Sequence, residues 1–457
     1  MLRRRIGSPA RRTNCFGISA PKRSPDPPAS TSAWTRMGER IARRARPGPV
    51  SSGPGHAPPV SPPVALRATL VRLGFLAGRL LPIRPRVVLA TGHGARITGN
   101  LAWIRDGVRS TRPDVDVVEL AFWPGSGWRQ LARAAIHALR SGFHLATARL
   151  FVVDDYFFPM YVIRPRRGTT FVQVWHACGA FKKFGYSVLD AGFGADEEYA
   201  RSIAMHTNYD LCLVSADRFA PFYAEAFGAP REWFTARLGI PRTDLFFDDE
   251  RQALVAAEVR RRYAIPDRRR VILYAPTFRG ERITVARDPT DLDLGALRDA
   301  LGDDHVVLFR SHPFVGARPA ADPALAGFVI DVSDHPEMND LMLVSDVLVT
   351  DYSSAVYEFA LLGRPMAFFA PDHAAYDAER GFYLDYPADL PGPMFISSAE
   401  LAAYLRAAVF DLERVRRFAA ESFDVADGSA TRRFLDKVVA PAIGRTGPDE
   451  KGRARPP

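Results

Sequence analysis

Cysteine and lysine are both scarce in this chain. Three cysteines, Cys15, Cys178 and Cys212, are scattered over 457 residues. That is too few and too dispersed for a disulfide framework, so a reducing cytoplasm is the expected compartment. Only five of the 61 basic residues are lysine, an arginine-heavy, alanine-rich usage that points to a GC-rich genome more than to a phosphate-binding surface. No apolar run reaches the ~20 residues that cross a bilayer. The opening arginines have no apolar h-region behind them, so no signal peptide is expected. P-loop, HExxH, paired-cysteine zinc and GxGxxG patterns are missing. The D-x-D pairs Asp114/Asp116 and Asp291/Asp293 open a strand and a helix and do not follow an apolar strand into a turn. They are read as solvated charges, and neither a metal nor a cofactor is expected.

The net charge of +10 suggests a nucleic-acid partner until it is located. Residues 1–60 hold twelve basic and two acidic residues; the rest holds forty-nine of each. The body is therefore neutral and the basicity belongs to the tail, which argues against nucleic acid as the partner. Residues 1–62, rich in Pro, Ser, Gly and Arg, are expected to be disordered. A basic amphipathic helix is expected within 63–84. Leu66, Leu70, Leu73 and Leu80 share one face, with Arg72 and Arg79 on the other. Such a helix suits a membrane interface, or else packs on the first domain.

From Arg86 onward strand-like and helix-like runs alternate, which argues for parallel sheets with helices on both faces. One series runs over RVVLATG, DVDVVELAF, RLFVVDDY, TFVQVWHA, YDLCLVSAD and FTARLGIP. A second runs over VILYAPTF, HVVLFRSHP, GFVIDVSD, DVLVTDYSS and PMAFFAPD. The expected fold class is α/β with two Rossmann-like domains, 85–248 and 249–440, facing a central cleft. A flexible tail is expected over 441–457.

Four clusters sit at strand ends: His176 with Lys182; Thr277 with Arg279; Arg310 with His312; and Asp351 with Ser353 and Ser354. The last leads into a helix with Glu358 on its first turns. Ser353 or Ser354 is a natural N-cap there, and a helix start offers free N–H groups to an anion. A capped helix with nothing bound remains the alternative. Arginine matches phosphate oxygens with a planar fork, although a strand-end arginine also serves in structural ion pairs. Histidine is the usual acid/base near neutral pH. His176 and His312 are the leading pair, with His93 a weaker third. Cys178 has no partner pattern that would make it a nucleophile.

The motifs WHACGAFKKFG, GIPRTD, YAPTFRG, RSHP and VSDVLVTDYSSAVYEFALLGRPMAFFAPD, followed by GFYLDY and DGSATRR, resemble those of the CDP-glycerol glycerophosphotransferases. These are the primases and polymerases of teichoic acids. The resemblance runs in order from about Gly99 to Arg433. It implies a GT-B-like fold, a CDP-linked donor held by the C-terminal domain, and no required metal. It also implies His176 as catalytic base and His312, Arg279, Ser353 and Ser354 at the donor phosphates. WHACGAFKKFG is one residue longer than the usual polymerase motif and looks closer to the priming members. The Ser311 of FRSHP stands where proline is common.

The expected function is transfer of glycerol phosphate, or a related polyol phosphate, from CDP-glycerol or a similar donor. The acceptor is a lipid-linked envelope polymer at the cytoplasmic membrane face, contacted peripherally, and CMP leaves. The competing expectation is a nucleotide-sugar glycosyltransferase using the same cleft.

Overall fold

Among the described residues, aliphatic and β-branched runs form twelve parallel-paired strands, six in each of two sheets. The computed structural model describes residues 62–444 except 93, 124–126, 192–202, 281–285, 290, 313–314 and 316–321. The tails expected over 1–62 and 441–457 therefore lie outside the described residues, save Pro62 and 441–444, and so does His93.

The first sheet holds β1 (Arg84–Thr91), β2 (Asp116–Ala121), β3 (Ala148–Val153), β4 (Thr170–Gln173), β5 (Leu211–Leu213) and β6 (Phe234–Thr235). Its order is β2-β1-β3-β4-β5-β6. The second holds β7 (Arg270–Tyr274), β8 (His305–Phe309), β9 (Val329–Asp331), β10 (Val347–Thr350), β11 (Met366–Phe369) and β12 (Met394–Phe395), ordered β12-β11-β10-β7-β8-β9. Strand residues such as Val87, Leu89, Val271, Leu273, Leu348 and Val349 are wholly buried. That is why these runs read as continuous apolar stretches without alternation: both faces of a parallel sheet are covered.

The two expected Rossmann-like halves are thus present. Strand order reverses between β1 and β3 in one sheet and between β7 and β10 in the other. Open α/β sheets leave a crevice at such a reversal, beyond the carboxyl ends of the strands. The residues just past those ends are Gly92, Asp154, Ala275 and, three further on from β10, Ser353. All of them line one cavity of about 880 Å³.

Three helices of the first half bear on the site: α1 (Pro62–Arg79), α2 (Gly99–Thr111) and α3 (Trp128–Thr147). Near the other end of the described chain, Ala430 and Thr431 donate their N–H groups to Asp244 at 2.8 Å each. Thr431 and Leu435 also pack on Gly107 of α2. The chain therefore crosses back onto the first half.

Within the 63–84 span α1 forms a helix that ends at Arg79, and its inner face packs on the first half. Ala68, Val71 and Phe75 are buried. A Cβ on Gly74 would sit 2.0 Å from Leu139 O of α3, and one on Gly142 would sit 2.0 Å from Val71 O. Only glycine allows the two backbones to meet this closely. The leucine face points away: Leu66, Leu73 and Leu80 are 62%, 53% and 87% exposed. No described helix is long and apolar enough to cross a membrane.

Candidate active site

β4 ends at Gln173, and the next peptides carry His176 into the cleft. Trp175 between them has φ 50°, a left-handed conformation rare for a bulky residue and common where a site imposes it. Two buried side chains impose it here. The Gln173 Oε1 accepts the Trp175 N–H at 2.9 Å. The Asn100 Nδ2 donates to the carbonyls of Trp175 and Val174 at 2.9 and 3.2 Å. The indole packs on Phe184 and Phe227, and the His176 ring stacks on the indole with centroids 4.5 Å apart.

This placement determines the tautomer. The His176 Nδ1 lies 3.0 Å from the Asp154 carbonyl oxygen. A carbonyl only accepts, so Nδ1 carries the proton and the neutral ring keeps its lone pair on Nε2. The Asp155 Oδ1, 3.7 Å from Nδ1, stabilises the imidazolium that would form when Nε2 takes a proton. Orientation plus a nearby carboxylate is what a general base requires.

Across the cavity the second half contributes positive charge. Arg310 follows β8, its N–H donating to Tyr274 O at 2.9 Å. Its Nη1 is buried without a hydrogen-bond partner among the described residues, and burial lowers its pKa from the ordinary value. The His312 ring lies 4.9 Å from that of Phe278. Burial pushes His312 down to about 3, with Lys182, Arg310, His176 and Arg380 adding to the depression. Burial first, and the surrounding cations second, therefore keep His312 neutral. Lys182 reaches over from the first half, its Nζ donating to the Tyr376 hydroxyl at 3.2 Å. A cavity edge that gathers two arginines, a lysine and a histidine suits a diphosphate.

The expected residues divide into two groups. His176, Lys182, Arg310, His312, Ser353, Ser354 and Glu358 line the cavity together; Thr277, Arg279 and Asp351 do not. Arg279, expected at the donor phosphates, is committed elsewhere. Its Nη1 donates to Asp351 at 2.8 Å, while Nε and Nη2 donate to Asp372 at 2.6 and 3.1 Å. Its plane lies near the rings of Tyr352 and Tyr376. Burial opposes its charge, but Asp351 and Asp372 hold its pKa above the ordinary value. Asp351 also accepts from the Thr277 N–H and hydroxyl, at 2.8 and 2.9 Å. The cluster ties the end of β7 to the end of β10 and shapes the crevice from beneath. Replacing Arg279 with alanine should leave the buried Asp351 carboxylate uncompensated, with the partly exposed Asp372 beside it, and cost about 3–5 kcal/mol of stability. The measurement is the urea midpoint; weaker donor binding with an unchanged midpoint would contradict this placement.

The helix after Ser354, α4 (Ala355–Ala360), has only six residues, and the Ser354 hydroxyl makes no cap bond. The Ser353 hydroxyl accepts the Ala355 N–H at 3.2 Å. The buried Glu358 is ion-paired with the partly buried Arg242. Asn100, Asp155, Arg242, Glu337 and Arg380 also line the cavity and were not singled out from the sequence. Arg242 stood within the GIPRTD motif, but nothing local marked it as facing the cleft. Cys178 is buried, which pushes its thiol well above the ordinary value and suits no nucleophile.

A family model described as CDP-Glycerol:Poly(glycerophosphate) glycerophosphotransferase matches residues 83–440. The chain belongs to this family. A teichoic acid ribitol-phosphate primase of Bacillus spizizenii is 36% identical over 366 residues, covering 79% of this chain and 93% of that protein. A teichoic acid poly(ribitol-phosphate) polymerase of the same organism is 35% identical, covering 82% of this chain and 60% of that longer protein. A structure of the wall teichoic acid polymerase TagF superposes with a TM-score of 0.68 at 24% identity, over 82% of this chain and 94% of that one. That likeness bears out the expected GT-B-like fold. Membership in the glycerophosphotransferase family bears out the expected activity class, transfer of a polyol phosphate from a CDP-linked donor in teichoic acid synthesis.

Proposed function

We propose that Arg310 and His312 of the second half, with Lys182 reaching over from the first, hold the donor diphosphate. An acceptor hydroxyl, deprotonated by His176 Nε2, then attacks the distal phosphorus. The bond from that phosphorus to the bridging oxygen breaks, and CMP leaves carrying the electron pair. The supporting observation is the cationic cluster around His312, set across one cavity from a histidine whose tautomer leaves Nε2 basic. Phosphoryl transfer asks chiefly for alignment and charge neutralisation. Ribitol phosphate is the proposed unit. Four relatives named for ribitol phosphate are 33–36% identical to this chain, and four named for glycerol phosphate are 25–31% identical. The test is mass spectrometry of products from CDP-ribitol, CDP-glycerol and nucleotide sugars with a lipid-linked acceptor. An acceptor enlarged by ribitol phosphate supports the reading; one enlarged by a sugar overturns it.

A lipid-linked acceptor requires the enzyme to reach a membrane surface, and α1 with α3 offers one. Beside the exposed leucines of α1, α3 exposes Trp128 and Leu131, 74% and 72% accessible. Arg72, Arg79, Arg129 and Arg133 are exposed on the same two helices. Because the inner face of α1 is structural, the informative variant changes the outer face alone. Leu66→Ser, Leu73→Ser and Leu80→Ser together should reduce co-sedimentation with anionic vesicles at least 10-fold, since burying each leucine is worth about 1.5–3 kcal/mol. The wild-type binding should weaken with salt. Unchanged sedimentation of the triple variant would refute membrane docking through this face.

A further inference from the structure

A chain of hydrogen bonds crosses the cleft and ends at the peptide before His176. Asn100 is its pivot, at the start of α2 and only 3% exposed. On one side its Nδ2 holds the carbonyls of Val174 and Trp175. On the other its Oδ1 accepts the Arg242 N–H at 3.1 Å. The Arg242 side chain is paired with Glu358 of α4, the helix that follows Ser353 and Ser354. A second link runs beside the first: the Gly99 N–H donates to Glu337 Oε1 of the other half at 3.0 Å. Gly99 has φ +52°, and the Arg242 side chain lies 3.7 Å from where its Cβ would be. Glycine adopts that left-handed backbone without strain, while the Arg242 contact is of ordinary van der Waals length.

From these contacts we infer that Asn100 is a positioning residue for the catalytic base, and that the Arg242–Glu358 pair couples it to the donor-side helix. The inference rests on the reading of His176 as base. The physical argument starts from Trp175. A left-handed tryptophan relaxes unless its peptide is held, and the carboxamide of Asn100 is one of the two groups that hold it. Releasing that peptide swings the His176 ring off the Asp154 carbonyl, so the lone pair on Nε2 no longer points at the reacting hydroxyl. Arg242 brings the other half into the same arrangement. Its guanidinium Nε and the second Glu358 oxygen are buried without hydrogen-bond partners among the described residues. The pair is joined by one guanidinium–carboxylate contact, with the Cys178 thiol beside both groups, and a shift of α4 against the first half is felt at Arg242 and passed through Asn100.

The test is a double-mutant cycle on the full chain, read by single-turnover rate and by calorimetric donor affinity. Asn100→Asp keeps the shape but turns an oxygen toward two carbonyls; Asn100→Ala removes the group without introducing charge. Each should slow turnover by about 10²-fold, the scale of a misplaced catalytic group, with donor Kd within twofold of wild type. Combined with His176→Ala, either should cause no further loss, because both act through one base. Losses that multiply, or an Asn100→Ala variant that turns over at the wild-type rate, overturn the inference. Full turnover by His176→Ala alone would instead remove the base itself, so the two failures are distinguishable. Glu358→Gln should reproduce a smaller part of the loss, with the same lack of additivity.

Discussion

Replacing His176 with alanine should lower the single-turnover rate by roughly 10²–10⁴, the usual scale for a positioned general base, and leave donor affinity within twofold. The separation follows from where the ring sits. His176 belongs to the first half, stacked on Trp175 and bonded to the Asp154 carbonyl, whereas the cationic groups proposed to hold the diphosphate come mainly from the second. Nothing the donor phosphates need is lost with the imidazole. A residue that served only packing would behave differently: thermal stability, donor affinity and rate would decline together. Asp155→Asn should give a milder loss of rate with the same intact affinity, since it removes the carboxylate near Nδ1 but not the base.

Replacing His312 with alanine should act on the donor instead. A charge-assisted contact to phosphate is worth about 1.5–3 kcal/mol, so donor Kd should rise about 10- to 100-fold, and turnover should fall with it. The pH dependence has a definite sign. His312 is held at about 3 by burial and by Lys182, Arg310, His176 and Arg380, so it is neutral at pH 7. A bound diphosphate supplies the missing negative charge and raises that pKa. The complex then binds more protons than the free enzyme, and affinity must increase as pH falls toward the raised value. Calorimetry in two buffers of different ionisation enthalpy should detect proton uptake on binding CDP-ribitol by the wild type and none by His312→Ala. Proton release would contradict the assignment. Arg310→Lys tests the neighbouring group: the charge stays, but the fork that fits two phosphate oxygens is lost, and affinity should fall without removing the proton uptake.

The fold was legible because parallel strands buried on both faces leave long apolar runs. VILYA, HVVLF, VLVT and MAFF each fall on a strand, and the two series stay separate in the structure. β12, at Met394–Phe395, was not foreseen, because two residues at a sheet edge leave no pattern. The site was legible only in part. Strand-end polar residues could be picked out one by one, and seven of the ten reach a single cavity. Arg279 could not be told from Arg310 in this way. Both follow a strand, but Asp351 and Asp372 stand beside one guanidinium and not the other, and only tertiary packing determines that. Asn100 and Arg242 were missed for a related reason. Their contacts join residues 142 and 116 apart in the chain, a relation that no local spacing encodes. The leucine face of α1 was foreseen as a face; that it stays exposed while alanine and glycine pack inward depends on α3.

The central claim is that the reacting atom is the distal phosphorus of a CDP-linked donor, and the identity of the departing nucleotide tests it most directly. Chromatography of a single-turnover reaction with CDP-ribitol and a lipid-linked acceptor should show CMP appearing at the rate at which acceptor is extended. CDP as the departing nucleotide would mean attack at carbon with the diphosphate leaving whole, and would contradict the account.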